Sequence, residues 1–232
     1  MKVLVNADDF GLTKGVTDGI VQSHLYGIVQ STTLIMNGLA TEYAVVAAKL
    51  NPSLKVGIHL VLTWGKPLSK NVSGLTNEKG NFRYTNNFAQ MEAPDLEEVE
   101  REWRSQLEAF LATGLPLHHI DSHHHIHGWA PLKNLVLQLA NEYQVPVRYT
   151  DTLKNEKDIL LTEALWLDFY GEGVDKKLFD KLQQQPHHSI EIMTHPAIVD
   201  NDLRSVSSYQ EQREKELQIL QELTFPNWVR KL

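Results

Sequence analysis

Apolar and polar positions along the 232 residues fall into two rhythms, short apolar runs and helical repeats, which take turns through most of the chain. Lys2 to Asn6 is an apolar run with β-branched valines, closing at Asp8-Asp9-Phe10-Gly11, where Gly11 signals a turn. This predicts a buried first strand with carboxylates at its C-terminal end. Thr13 to Tyr26 spaces Val16, Ile20, Val21 and His24/Leu25 as a helix does, with Gly27 as a stop. Ile28 to Met36 predicts a second strand, ended by Asn37-Gly38. Thr41 to Leu50 predicts an alanine-rich helix stopped by Asn51-Pro52, and Lys55 to Leu62 a third strand carrying a lone His59.

From Trp64 to about Pro94 neither rhythm holds, and this polar stretch of roughly thirty residues is far longer than an ordinary strand-to-helix connection. It reads as an inserted loop region after the third strand, lying over the active face, with a small hairpin around Lys79-Gly80. Asp95 then caps a charged helix to about Thr113, apolar at Leu96, Val99, Trp103, Leu107 and Phe110/Leu111, with Gly114 ending it. Leu117 to Asp121 predicts a strand, Pro131 to Tyr143 a helix, and Val145 to Tyr149 and Trp166 to Tyr170 further strands. Asp175 to Gln184 reads as helical, Ser189 to Thr194 as a strand ending in His195-Pro196, and Ser208 to Leu223 as a last amphipathic helix. No repeat or linker interrupts residues 1–232, which read as a single domain.

Strands alternating with helices predict an α/β fold with a parallel sheet, either open or closed into a barrel. Polar residues separate the two. Asp8, Asp9, His59, the histidines from 123 onward, Arg148 and His195 all fall at or just past the C-terminal ends of different strands. A barrel gathers those ends into one ring, whereas an open sheet joins only neighbours of its switch point. The pattern therefore predicts a (β/α) TIM-like barrel, with room for fewer than eight strands.

Composition narrows the chemistry. The net charge of -7, with no basic run longer than a pair of lysines, argues against nucleic acid or an anionic membrane as partner. With no cysteine, any metal must be held by His, Asp and Glu. No apolar run reaches membrane-spanning length and the first apolar run is too short for a signal segment, so the expectation is a cytoplasmic protein.

Six of the eleven histidines lie between His118 and His127, in His-His-Ile-Asp-Ser-His-His-His-Ile-His. A solvated loop or an appended tag is the plain alternative, but Asp121, Ser122 and Ile126 are out of place in a tag. Neutral imidazoles at this density suit a borderline divalent cation. An extended backbone would put His123, His125 and His127 on one face, and a helical one would pair His123 with His127. With Asp9 and His59, His123 makes a three-ligand metal set that leaves positions open for substrate and water. Asp8 stands beside it as a base, and His195 could protonate a departing amine, a set sufficient for metal-assisted amide hydrolysis. Asp121 suits a partner fixing a histidine tautomer. Trp64, Trp129, His125 and Arg148 are candidate substrate contacts; Arg148 could instead orient Asp8.

Asn6-Ala7-Asp8-Asp9-Phe10-Gly11, Gly57-Ile58-His59-Leu60, Asp121-Ser122-His123-His124-His125-Ile126-His127 and Thr194-His195-Pro196, taken in order, resemble the YdjC-like carbohydrate deacetylases. Ser31-Thr32-Thr33 and Leu62 to Leu68 add a likeness to the chitooligosaccharide deacetylases within them. The resemblance implies a distorted (β/α) barrel that removes an N-acetyl group from an oligosaccharide such as chitobiose. It implies metal on Asp9, His59 and His123, base Asp8 and acid His195, with magnesium as the usual ion and a homodimer as the usual assembly. Two imidazoles suit zinc equally, and manganese also fits. Thr194 departs from the cysteine that close relatives often carry, and the chain after Leu203 does not align. Two rival readings stand beside this one: a metal-dependent phosphoesterase on a sugar phosphate, and a non-catalytic metal- or sugar-binding barrel.

Overall fold

The computed structural model describes residues 1–232. Strands β1 (Lys2–Phe10), β2 (Ser31–Leu34), β3 (Lys55–Leu60), β4 (Ile120–Ser122), β5 (Ala164–Trp166) and β6 (Ser189–Thr194) form one sheet in the order β4-β3-β2-β1-β6-β5. Each of these pairings is parallel, and the sheet curls into a half-barrel. A two-residue β7 (Arg230–Lys231) adds to the start of β1. Single bridges from Ile120 to Val147 and from Val147 to Leu160 reach from β4 back toward the chain that leads into β5.

Helices cover the outside: α1 (Lys14–Leu25), α2 (Thr41–Leu50), α3 (Leu96–Ala112), α4 (Lys133–Tyr143), α5 (Leu178–Leu182), α6 (Asn201–Val206) and α7 (Glu211–Glu222). None is long and apolar enough to cross a membrane. The α3 helix shows how the pattern becomes structure. The Asp95 carboxylate accepts the backbone N–H groups of Glu97 and Glu98, satisfying donors that the first turn leaves free. Val99, Trp103, Leu107 and Phe110 then fall on one stripe and are fully buried, each burial contributing about 1.5–3 kcal/mol before the entropy of ordering is subtracted. Leu96 and Leu111 depart from expectation, 47% and 45% exposed at the edges of that stripe.

Other boundaries also moved. The strand expected at 145–149 is reduced to bridges at Val147, and the one expected at 166–170 lies earlier, at Ala164–Trp166. A single residue in the first place and three in the second suffice to carry the sheet across, so no alternating run marks either. The helix expected over 175–184 keeps only Leu178–Leu182, and α6 and β7 were not anticipated. Between β3 and α3 the chain forms no helix longer than three residues. A lone antiparallel bridge from Thr76 to Phe82 closes a tight turn, with Gly80 in the left-handed region at φ 74°.

Candidate active site

Every strand of the curled sheet delivers its C-terminal end to the same side, and a cleft of about 490 Å³ lies there. The strand β1 contributes two consecutive carboxylates. In a regular strand neighbours point to opposite faces. Here the register with β2 shifts between Ala7 and Phe10, and Asp9 adopts a left-handed φ of 71°. Asp8 and Asp9 consequently both line the cleft.

Asp9, His59 and His123 bring ligand atoms within 4.8 Å of one another. Asp9 Oδ1 lies 3.4 Å from His59 Nε2 and 3.1 Å from His123 Nδ1. The Asp121 carboxylate sits 2.7 Å from His59 Nδ1 and also accepts the Thr33 hydroxyl at 3.0 Å. That bond fixes the ring so that Nε2 faces Asp9, as a metal-ligating histidine requires. Burial opposes a charged His59, but Asp121, Asp9 and Asp8 outweigh it and raise its pKa to about 10. Carboxylates are thus in excess, calling for positive charge between these three residues. A hard or borderline divalent cation on two imidazoles and one carboxylate answers that call, so the donor set fits a metal.

Asp8 is held differently. Arg148 donates to both its oxygens at 2.6 Å, and Asn6 donates to Oδ1 at 2.9 Å. Burial favours the neutral acid, yet the guanidinium keeps the Asp8 carboxyl well below the usual carboxylate range. Arg148 also donates to Glu191 Oε1 through Nε and Nη2, at 2.9 and 2.7 Å, and pairs with Asp121 at 2.9 Å. It is fully buried and outside the cleft wall. Of the two roles open to Arg148, the geometry gives it the orienting of Asp8 and leaves no surface for substrate.

The histidine run takes neither geometry that spacing suggested. His124 and His125 are left-handed, at φ 54° and 56°, inside a tight turn over His123–Gly128. His123 faces Asp9, whereas His127 turns inward, 2.6 Å from the Ser122 hydroxyl and 3.3 Å from the Arg148 carbonyl. The two therefore do not share a face, and His127 is a buried brace. His125 lines the cleft with its Nδ1 unpartnered, and His124 contacts the Thr63 hydroxyl at 3.0 Å. Trp64 also lines the cleft, but Trp129 packs against Tyr84 and Phe88 and offers no free face to a sugar.

His195 closes the other side of the cleft. Its backbone N–H donates to buried Glu216 at 2.5 Å, and its ring Nδ1 has no partner. Burial lowers its pKa to about 4, against the pull of Asp9 and Asp8, so the ring is neutral at pH 7. The stretch after Leu203 supplies residues that motif reading missed. Arg213 donates to Asp9 Oδ2 at 2.7 Å, leaving Oδ1 to face the imidazoles, and Tyr209 lines the wall beside it, joined there by Tyr170 from the chain that follows β5. The signal for Arg213 was present in α7: Arg213 and Glu216 share a helical face with Leu220 and all three are buried, so charged residues sit where core residues belong.

Paired acid and base residues gathered in one cleft, at the C-terminal ends of a curled parallel sheet, define a hydrolytic enzyme of the α/β class. A family model described as YdjC-like protein matches residues 2–231, and the chain belongs to the YdjC-like carbohydrate deacetylases. A carbohydrate deacetylase of Oceanobacillus iheyensis is 56% identical over 229 residues, covering 99% of this chain and all of that one. One from Brevibacillus brevis is 46% identical, covering 95% and 91%. Among solved structures, a cellobiose-phosphate cleavage protein of Enterococcus faecalis superposes with a TM-score of 0.88 at 34% identity, over 95% of this chain and 90% of that one. A lactam utilization protein of Thermus thermophilus, at 17% identity and a TM-score of 0.53, shares the fold.

Proposed function

We propose that this protein hydrolyses the N-acetyl group of an N-acetylglucosamine-containing oligosaccharide of chitobiose type, releasing acetate. The observation that carries the reading is the meeting of Asp9, His59 and His123 beside an Asp8 locked in its ionised form. Asp9, His59 and His123 would hold a divalent cation, magnesium first and zinc or manganese as alternatives. Such a cation, when bound, supplies polarisation of the amide carbonyl and acidification of water.

Asp8 takes the proton of the attacking water. A carboxylate held so far below neutrality is a weak base, so it works only on water already made acidic. Arg148, bonded to both oxygens of Asp8, prevents the carboxylate from turning away. The proton that leaves the water through Asp8 is the one the departing amine needs, and His195, neutral at rest, takes it up on one side and gives it to the amine. Trp64 and His125 on the cleft wall serve as contacts to the oligosaccharide. The finer architecture belongs to the same reading: the bridges through Val147 complete a distorted barrel, and the stretch from 64 to 94 forms a rim over the cleft. A homodimer in the cytoplasm is the assembly and compartment that go with it.

The name of the Enterococcus neighbour lends the phosphoesterase reading an argument. Against it, the guanidiniums of Arg148 and Arg213 are both committed to carboxylates, which leaves the cleft acidic toward a phosphate. Metal-stripped protein incubated with diacetylchitobiose and added magnesium, zinc or manganese should release acetate with at least one ion. No release with any ion, together with phosphate release from a disaccharide phosphate, would replace the proposal by that rival.

A further inference from the structure

Tyr170 lies on the cleft wall and is 46% exposed. One face of its ring is covered by Tyr209, 4.0 Å away and within 12° of parallel. Tyr209 is itself tied down, its hydroxyl donating to Glu216 at 2.6 Å and accepting the Gly171 backbone N–H at 2.9 Å. Gly171 follows Tyr170 directly, so the same bond fixes the backbone that carries the exposed ring. Both tyrosines meet the His195 imidazole edge-on, at 5.6 and 6.0 Å. The pair is therefore a rigid two-ring stack with one free face, standing next to a candidate acid. A surface ordered before binding loses little entropy on binding. The carboxylates and imidazoles of the cleft suit the hydroxyls of a sugar, and an aromatic face such as that of Tyr170 suits its apolar C–H face.

We propose that Tyr170, backed by Tyr209, is a sugar-binding platform: a pyranose ring of the substrate lays its C–H face on the free face of Tyr170, beside His195. The proposal rests on the deacetylase reading of the same cleft. Its test compares wild type, Tyr170→Ala and Tyr170→Phe in two assays. One is steady-state acetate release from diacetylchitobiose by metal-restored protein; the other is calorimetric binding of fully deacetylated chitobiose, the glucosamine disaccharide, which has no acetyl group to lose. Tyr170→Ala should raise KM and weaken chitobiose binding roughly three- to tenfold, with kcat within about twofold of wild type, and Tyr170→Phe should restore both. Unchanged KM and binding in Tyr170→Ala, or a Tyr170→Phe variant as impaired as Tyr170→Ala, would overturn the platform. If wild type binds chitobiose but releases no acetate with any ion, the deacetylase reading fails, and the calorimetric comparison decides the platform without it.

Discussion

Arg148 is the residue whose removal is most informative, because its guanidinium is the buried cation serving three carboxylates. It makes four hydrogen bonds, two to Asp8 at 2.6 Å and two to Glu191 at 2.7 and 2.9 Å, and a 2.9 Å ion pair with Asp121. Arg148→Met keeps much of the volume and deletes the charge. Breaking one buried ion pair from one side costs about 3–5 kcal/mol, because the remaining charge is left without a partner. The loss should not be three times that. Burial, opposed by Arg148, already raises the Glu191 carboxyl to about 7, so without Arg148 it simply takes up a proton, while Asp121 keeps His59 as partner. A loss of about 3–5 kcal/mol corresponds to a fall of roughly 6–20 °C in melting temperature for a chain of this size.

The pH dependence supplies a second check. In wild type Asp8 is depressed, so its contribution is complete above the unfolded carboxylate range, declines below it and is lost as pH falls through the depressed folded value. In Arg148→Met the folded carboxyls rise above their unfolded values. Their protonation is then a stability present at low pH and lost as pH rises, so the deficit should be larger near pH 8 than near pH 5. Thermal unfolding of metal-free protein by circular dichroism at the two pH values reads both effects. A deficit under about 1 kcal/mol at pH 8, or one equal at both pH values, would refute the account of Arg148 as the charge that holds Asp8.

Asp9→Asn or His59→Ala should bring tightly bound divalent metal to background in elemental analysis of metal-loaded protein; full occupancy in either variant would remove that residue from the ligand set. Asp121→Asn should weaken metal affinity about 10- to 100-fold by calorimetry, since it frees the His59 ring rather than deleting a ligand. Burial raises Glu216 to about 8, so between its unfolded range and pH 8 the folded state holds a proton that the unfolded state has released, and stability falls as pH rises. Glu216→Gln should flatten that fall, seen as a difference in melting temperature from wild type between about pH 6.5 and 8, histidine titration being common to both proteins; parallel curves would show that Glu216 is ionised in the fold.

How much of this was legible depends on how local each signal is. Thr41–Leu50, Ser189–Thr194 and the Asp95 cap carry their own pattern in a few residues, and each forms where it was expected. Spacing rules failed at His124 and His125, because they assume one repeating conformation and two successive left-handed residues break any repeat. The two arginines mark a different limit: two roles stayed open for Arg148, orienting Asp8 or holding substrate, and Arg213 was missed altogether. An arginine alone carries no mark of burial, and both draw their partners from the other end of the chain: Arg148 is 140 residues from Asp8, and Arg213 is 204 from Asp9. Tyr170 was taken for the end of a strand, since an aromatic after apolar residues looks the same whether it is packed or exposed.

The left-handed turn of Asp9 limits what could be built from this site. Two adjacent aspartates are easy to write into any sequence, and a designer grafting the site onto another parallel barrel would begin with that pair. On a strand in regular register the second aspartate would point into the helical layer, leaving an unpaired carboxylate in the core instead of a ligand in the cleft. The portable unit is therefore the local irregularity of β1 between Ala7 and Phe10, together with the α7 arginine that holds Asp9 in place, and a graft lacking either would carry the motif without the site.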